Sequence, residues 1–362
     1  MITAIRIQNY KSFKDFRLDG LGRFTCIIGL NGSGKTTLLH ALEGIGRLAH
    51  GEERPAQFAR DCLSFGSPPD AQLEFTISFG ESIVWEASFD VNAQRVTAER
   101  ITNGDETVLS ADQLQLSDVA GAKRATHGSL LAHWDFDSNS PHDIVKRGLQ
   151  SLKNLGLLSP ALLCAGSGRN DTTIHGGGWG FAGFLASISG NRKKLLEDLH
   201  RFYPDTDYCT TSTQGGGKYL AFKENNQTFS ARLANDGLLR TLAILSQRYS
   251  PQDLVLFDEI ENGFNQELVD TLVHELLSFQ KQVIVTTHSA LVVNFLPDDV
   301  ARQSVVLFYK NASKQTQAKR FFDIPEMRDL LPVLPSGQIM SQTNLIDLSQ
   351  KLAGCEAGSC AS

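Results

Sequence analysis

Apolar and polar positions alternate along residues 2–8, the period of a half-buried strand. FTCII at 24–28 is a short apolar run bounded by glycines and reads as a buried strand. A glycine-rich turn follows, and then TTLLHALEGIGRLAH places apolar residues at helical spacing. The opening unit is therefore strand, loop, helix. Residues 50–70 are rich in Gly, Pro and charge and read as a loop. From 72 to about 110 the period returns to two: QLEFTISF, SIVWEASFDV and RVTAERIT predict successive antiparallel strands, with Asn103-Gly104 as a hairpin signal. This block is expected to be a β-subdomain inserted beside the first unit.

Residues 111–180 carry weaker patterning. A helix is expected over 142–155, a glycine-dense surface loop or lid over 166–180, a helix over about 181–203, and strands near 218–230. The last third is again α/β. It reads as a helix from Asp236 to Ser250, a strand in DLVLFDEI at 253–260, a helix from Gln266 to Phe279, and strands in QVIVTTHS and SVVLFYK. No internal repeat or long heptad array is present.

The 362-residue chain is 41% hydrophobic and 20% charged, the balance of a globular protein. No apolar run reaches the ~18 residues of a membrane span, and the N-terminus lacks a signal-peptide core. A cytoplasmic protein with no membrane contact is expected. The formal net charge of −6 gives no bulk attraction to nucleic acid. Six scattered cysteines form no CxxC pair, so a zinc ribbon is not supported. Cys26 is expected in the core, and Cys355 and Cys360 lie in a small-residue tail at 351–362 that is expected to be disordered.

GLNGSGKT at 29–36 fits G-x-x-x-x-G-K-[ST] in full, with an apolar strand before it and a helix after it. The chemistry of phosphate binding asks for these residue types. Glycines let successive N–H groups converge on phosphate oxygens, and the helix N-terminus adds a favourable dipole. Lys35 can bridge β- and γ-phosphates, and the Thr36 hydroxyl can ligate Mg²⁺. Adenine is favoured, because no guanine-reading Asn-Lys-x-Asp segment is present. A second signal lies at the end of LVLF, where Asp258 and Glu259 would face a ligand crevice at a strand's carboxyl end. There an Asp can hold Mg²⁺ and a following Glu can polarise water. Ordinary helix-cap contacts by two strand-end acids are the alternative.

Four segments, in order, carry a resemblance: IRIQNYKSFKDFRLDGLGRFTCIIGLNGSGKTTLLHAL, ARLANDGLLRTLAIL at 231–245, LVLFDEIENGFN at 254–265, and VIVTTHSALVV at 283–293. The chain resembles the ABC-type ATPases of the SMC/RecF group and, more narrowly, the stand-alone OLD-like ATPases of bacterial defence and toxin–antitoxin systems. The resemblance implies an α/β P-loop NTPase fold of the SMC-head kind over 1–310. That head carries an inserted antiparallel β-subdomain at about 70–110, a helical and loop lobe at about 111–235, and the Walker B half at about 236–310. A C-terminal extension covers 311–350. Asn31, Gly32, Ser33, Gly34, Lys35, Thr36 and Thr37 would wrap the phosphates of ATP, with Lys11 and Ser12 nearby. Thr36 and Asp258 would hold Mg²⁺, Glu259 would be the catalytic base beside Lys35, and His288 would sense the γ-phosphate. Asn235, Asp236 and Gly237 would open a signature helix whose free N–H groups grip the γ-phosphate of a second protomer, making a homodimer.

The sequence departs from that family at several points. Asn235 replaces the usual signature serine, and a simple helix cap accounts for it equally well. Asn265 stands where related sequences often carry His, and Gln57 and Gln72 are Q-loop candidates by position only. A core role for His288 is the alternative to γ-phosphate sensing. DFD at 135–137 and DTD at 205–207 are acidic pairs in loop-like sequence, read as solvated turns. Without a coiled coil, and with about 74 residues after the His288 strand, the chain reads as an ATPase head without its own effector. Two functions follow: a nucleotide-dependent switch in antiphage defence working with a nuclease or toxin in trans, or a RecF-like ATPase that binds DNA.

Overall fold

The computed structural model describes residues 1–52, 55–112, 128–133, 136–152, 155–168 and 171–354. Strands β1 (Ile2–Tyr10) and β2 (Phe13–Asp19) pair antiparallel, and β3 (Phe24–Gly29) follows, every residue buried. Helix α1 (Lys35–Ala49) leaves the glycine-rich loop. Strands β4 (Leu73–Phe79), β5 (Ile83–Asp90), β6 (Arg95–Asn103) and β7 (Glu106–Asp112) are consecutive antiparallel neighbours, turning between β6 and β7 at the Asn103-Gly104 signal. They do not form a sheet of their own. β4 pairs with β1, giving one six-stranded sheet in the order β2-β1-β4-β5-β6-β7. The reason lies in β1, which has two open edges and alternating apolar residues at Ile5 and Ile7 that face one core.

The middle of the chain holds α2 (Pro141–Gln150), α3 (Pro160–Leu163), α4 (Phe181–Ser187) and α5 (Arg192–Leu199), with a three-stranded sheet of β8 (Thr206–Ser212), β9 (Lys218–Glu224) and β10 (Gln227–Ser230). The expected helix at 181–203 is interrupted by a 3₁₀ turn at Ser189–Asn191, where Gly190 and Asn191 weaken helical propensity. The helix expected at 142–155 closes at Gln150. β8 was not anticipated. It takes in Asp207, one of the acids read as a turn, which pairs instead with His200 at 2.9 Å. Asp135 and the tail cysteines lie outside the described residues. The described part of the 166–180 loop is tied down by backbone bonds from Gly177 N to Leu155 O (2.7 Å) and from Ser159 N to Gly177 O (2.8 Å).

The chain then forms α6 (Asp236–Ser246), β11 (Leu254–Phe257), α7 (Gln266–Leu277), β12 (Gln282–Thr286), α8 (Ala290–Asn294), α9 (Asp298–Ser304), β13 (Val305–Lys310) and β14 (Thr316–Arg320). Helices α10 (Pro325–Leu330), α11 (Ser336–Gln342) and α12 (Leu345–Gly354) complete it. The second sheet has the order β11-β12-β3-β13-β14, parallel except for β14 at its edge. The core sheet thus continues past residue 310 into the segment read as an extension.

Both faces of this parallel sheet are covered, as its continuous apolar strands require. Cys26 and Ile28 of β3, with Val283 and Val285 of β12, pack toward α6, α7 and the helical lobe. Ile27 and Ile284 point the other way, against α1 and the six-stranded sheet. Gln282, buried at the first position of β12, stitches the two sheets together. Its Oε1 accepts from Ile2 N (3.0 Å), and its Nε2 donates to Ile2 O (2.7 Å) and Gly22 O (3.0 Å). Among the described residues no helix is long and apolar enough to cross a membrane.

Replacing Gln282 by Leu strands two buried backbone groups of Ile2 and the half-buried carbonyl of Gly22. The expected loss is about 2–4 kcal/mol in urea unfolding, with the m-value unchanged.

Candidate functional site

The site lies at the carboxyl ends of β3, β11 and β12, the edge of an open parallel sheet where ligand crevices form. The chain turns out of β3 at Gly29, whose φ of 149° places a would-be Cβ against the Phe308 carbonyl. Gly34, immediately before α1, has φ 113° and would put a Cβ 2.6 Å from Thr316 Oγ1. Side chains are excluded at both positions, so the loop backbone can wrap tightly. Ser33, Gly34 and Lys35 are buried, Thr37 is half-buried, and Asn31, Gly32 and Thr36 are exposed on the outer side. The Lys35 ammonium sits inside the loop and donates to Gly29 O (2.9 Å) and Leu30 O (3.2 Å). Burial pulls its pKa below the ordinary lysine value, and Asp258, Glu259 and Glu261 oppose that pull. An anion at the loop would favour the charged form further.

Asp258 is half-buried one residue past β11. Its Oδ2 accepts from Thr36 Oγ1 (3.0 Å), and its Oδ1 accepts from Thr286 Oγ1 (2.5 Å). The Thr286 hydroxyl also accepts from Glu259 N at 2.9 Å. Glu259 adopts φ 48°, an unfavourable left-handed conformation for a non-glycine residue. Such a backbone costs about 1–3 kcal/mol and persists where surrounding contacts fix it. Here the fixing contacts are the Thr286 bond and Ile260 N to Thr286 O (3.1 Å). The Glu259 carboxylate projects into partly open space, with Oε1 3.9 Å from His288 Nε2 and Oε2 accepting from Asn262 Nδ2 at 3.4 Å. His288 is exposed rather than a core residue, and its backbone N–H donates to Glu261 Oε1 (2.8 Å).

Hydroxyl Thr36 and carboxylate Asp258 are hard oxygen donors on one crevice wall, the donor type that Mg²⁺ takes together with waters and phosphate oxygens. The residues present therefore fit such an ion. Among the described residues no cluster of three or more His, Cys, Asp or Glu side chains forms a larger metal site.

Three supports were missed in reading the sequence. Thr316, at the start of β14, donates from Oγ1 to Ser33 O (2.8 Å) and accepts from Lys310 Nζ (2.7 Å). With its one proton committed, it accepts from Ser12 Oγ at 2.8 Å. Ser12 thereby joins the loop through Thr316. Thr286 and Glu261 are the other two, holding Asp258 and His288. A signal existed for these two alone, as both lie within segments already singled out.

Lys11 lies farther along. Its backbone N–H bonds Cys62 O (2.6 Å), and its side chain lines a cavity of about 330 Å³ beside α1 with His40, Glu43 and Gln57. Gln57 Oε1 is buried there without a partner. Gln72 is not in this cavity; its Oε1 accepts from Thr97 Oγ1 (2.9 Å) on the six-stranded sheet.

Asn235 caps α6, its Oδ1 accepting from Leu238 N at 2.7 Å, and Asn235 and Asp236 are exposed. Gly237 lies next to Gly263 O and Tyr203 OH. Among the described residues no hydrogen bond or ion pair joins 235–237 to the loop at 29–37. Arg240, one turn into α6, donates to Asn262 O (2.8 Å) and links this helix to the segment after Glu259.

Comparisons with known proteins place these features. Residues 1–65 match the family model described as "AAA ATPase domain", and residues 180–294 match "AAA domain, putative AbiEii toxin, Type IV TA system". An ATP/GTP phosphatase of Helicobacter pylori is 45% identical over 358 residues, covering 84% of this chain and 89% of that protein. An OLD nuclease of Thermus scotoductus is 26% identical over 131 residues, 36% of this chain and 23% of its own length. The fold is similar to an SMC head crystallised with the C-winged helix domain of ScpA, at TM-score 0.58 and 14% identity, covering 88% of this chain and 97% of that one.

Thr316→Val should keep the fold but loosen the loop, raising the KM for ATP about tenfold in steady-state assays. An unchanged KM would show that the hydroxyl does not organise the loop.

Proposed function

The chain belongs to the ABC-type ATPases of the SMC/RecF/OLD-like group and hydrolyses ATP, and from that premise we propose a switch in which ATP closes two copies and hydrolysis releases them. The observation that carries the reading is the linked set Thr36, Asp258, Thr286, Glu259 and His288 at one edge of the parallel sheet. In this reading the amides of 31–37 and the Lys35 ammonium hold the β- and γ-phosphates. Thr36 and Asp258 would hold Mg²⁺, which would supply neutralising charge to those phosphates. Glu259 orients a water and accepts its proton as the oxygen bonds to the γ-phosphorus. The bond to the β-bridging oxygen breaks, and ADP and phosphate leave. His288, within 3.9 Å of Glu259, is placed to hydrogen-bond the γ-phosphate or that water.

The start of α6 supports the dimer. Asn235 and Asp236 are exposed, and among the described residues their helix N-terminus makes no bond to its own loop. A second copy can bring that N-terminus to the open side of the γ-phosphate. We extend the reading to antiphage defence with a partner nuclease or toxin. The similarity to an OLD nuclease and to a toxin–antitoxin family model supports that setting.

Glu259→Gln is expected to cut turnover at least 100-fold while retaining ATP, and to accumulate a nucleotide-bound dimer in light scattering. Wild-type turnover by this variant would remove Glu259 as the base. A monomer at saturating ATP would remove the dimer switch. In cells carrying the chain with its neighbouring genes, Lys35→Ala should abolish protection in plaque assays; full protection would exclude the defence role.

A further inference from the structure

A second cavity, of about 610 Å³, opens at the opposite end of the parallel sheet. It lies where β3 begins at Phe24 and β13 begins after Ser304. Three arginines line it, Arg23, Arg302 and Arg320, against one carboxylate, Asp323. This local excess of positive charge stands on a chain whose net charge is −6. Arg320 is fixed in place by donating to the carbonyls of Gly20 and Gln303. The Arg302 side chain is exposed and has no hydrogen bond or ion pair among the described residues. Ser304, 3% exposed, lines the cavity, and its hydroxyl is buried without a hydrogen-bond partner. A buried orphan hydroxyl normally costs stability, so its retention in the wall of a cavity that three arginines also line points to a missing acceptor. Leu276, Leu277 and Val300 supply an apolar wall. The volume falls within the range of small-molecule sites.

We propose that this cavity binds a small phosphomonoester with an apolar or aromatic body, and that the bound molecule acts on the nucleotide site as an effector. Guanidinium groups recognise phosphate oxygens through paired N–H donors, and the Ser304 hydroxyl supplies a further donor. The path to the other site is the β13–β14 hairpin. Ser304 and Arg320 stand at its cavity end. At its other end Lys310 donates to Thr316, and Thr316 donates to Ser33 O in the phosphate loop. A ligand that fixes one end of this two-stranded unit biases the position of the other.

Phenyl phosphate serves as the probe because it has both parts of the ligand and no triphosphate. Calorimetry on the full-length Lys35→Ala chain, whose nucleotide loop is disabled, should show one saturable site, with inorganic phosphate binding more weakly. Arg302→Ala and Ser304→Ala should each weaken binding about tenfold without lowering Tm, since neither side chain has a partner to lose. In the wild-type chain, phenyl phosphate should change kcat for ATP, and the same two substitutions should remove the change while leaving the basal rate intact. Absence of saturable binding, or binding indifferent to both substitutions, overturns the site. Binding with kcat unchanged overturns the effector role. Neither result bears on Glu259, because the binding arm does not depend on turnover.

Discussion

The Asp258 carboxylate is the joint on which the site rests. One oxygen takes the hydroxyl of Thr36, at the start of α1, and the other takes that of Thr286, at the end of β12. These two bonds tie the helix that leaves the phosphate loop to the adjacent strands β11 and β12. The same Thr286 hydroxyl holds the backbone of Glu259 in its left-handed conformation. The neighbouring glutamate therefore leaves the strand end from a backbone conformation that a non-glycine residue keeps only where surrounding contacts fix it. Replacing either threonine hydroxyl by a methyl would leave a partly buried charge short of a donor.

That joint needs a rigid sheet behind it. β3 and β12 are buried on both faces, so their side chains alternate between two cores and the strands cannot slip without exposing both. Gln282 then fixes the six-stranded sheet against the parallel one by satisfying both backbone groups of Ile2. Rigidity on this side contrasts with the outer face of the loop, where Asn31, Gly32 and Thr36 are open. A pre-organised cradle that faces outward suits a ligand whose far end is completed by another surface.

The C-terminal hairpin gives the loop its second anchor. Thr316 contacts Ser33 through a hydroxyl that is 283 positions away in sequence, and Lys310 and Ser12 converge on the same oxygen. Strand β14, within the segment read as an extension, thus lies on the core sheet and anchors the loop. Because β13 and β14 run from the phosphate loop to the arginine-lined cavity, one short antiparallel pair spans the two ends of the core sheet.

Much of this was readable in the chain itself. The G-x-x-x-x-G-K-T run between an apolar strand and an amphipathic helix, and the acids closing LVLF, are local patterns, and local patterns carry their own chemistry. Period-two alternation likewise announced β4, β5 and β6. Helix ends at Gln150 and Ser246 and the break at Gly190 were blurred, since single glycines and caps shift boundaries without changing the period. What only the tertiary structure decided is how distant segments meet: β4 beside β1, β14 on the core sheet, and Lys310 and Ser12 on the Thr316 hydroxyl that donates to the loop carbonyl of Ser33. Hydrogen bonds of this kind join hydroxyls and carbonyls whose sequence neighbourhoods look ordinary. No local period encodes them, and they exist only once burial has brought the segments together.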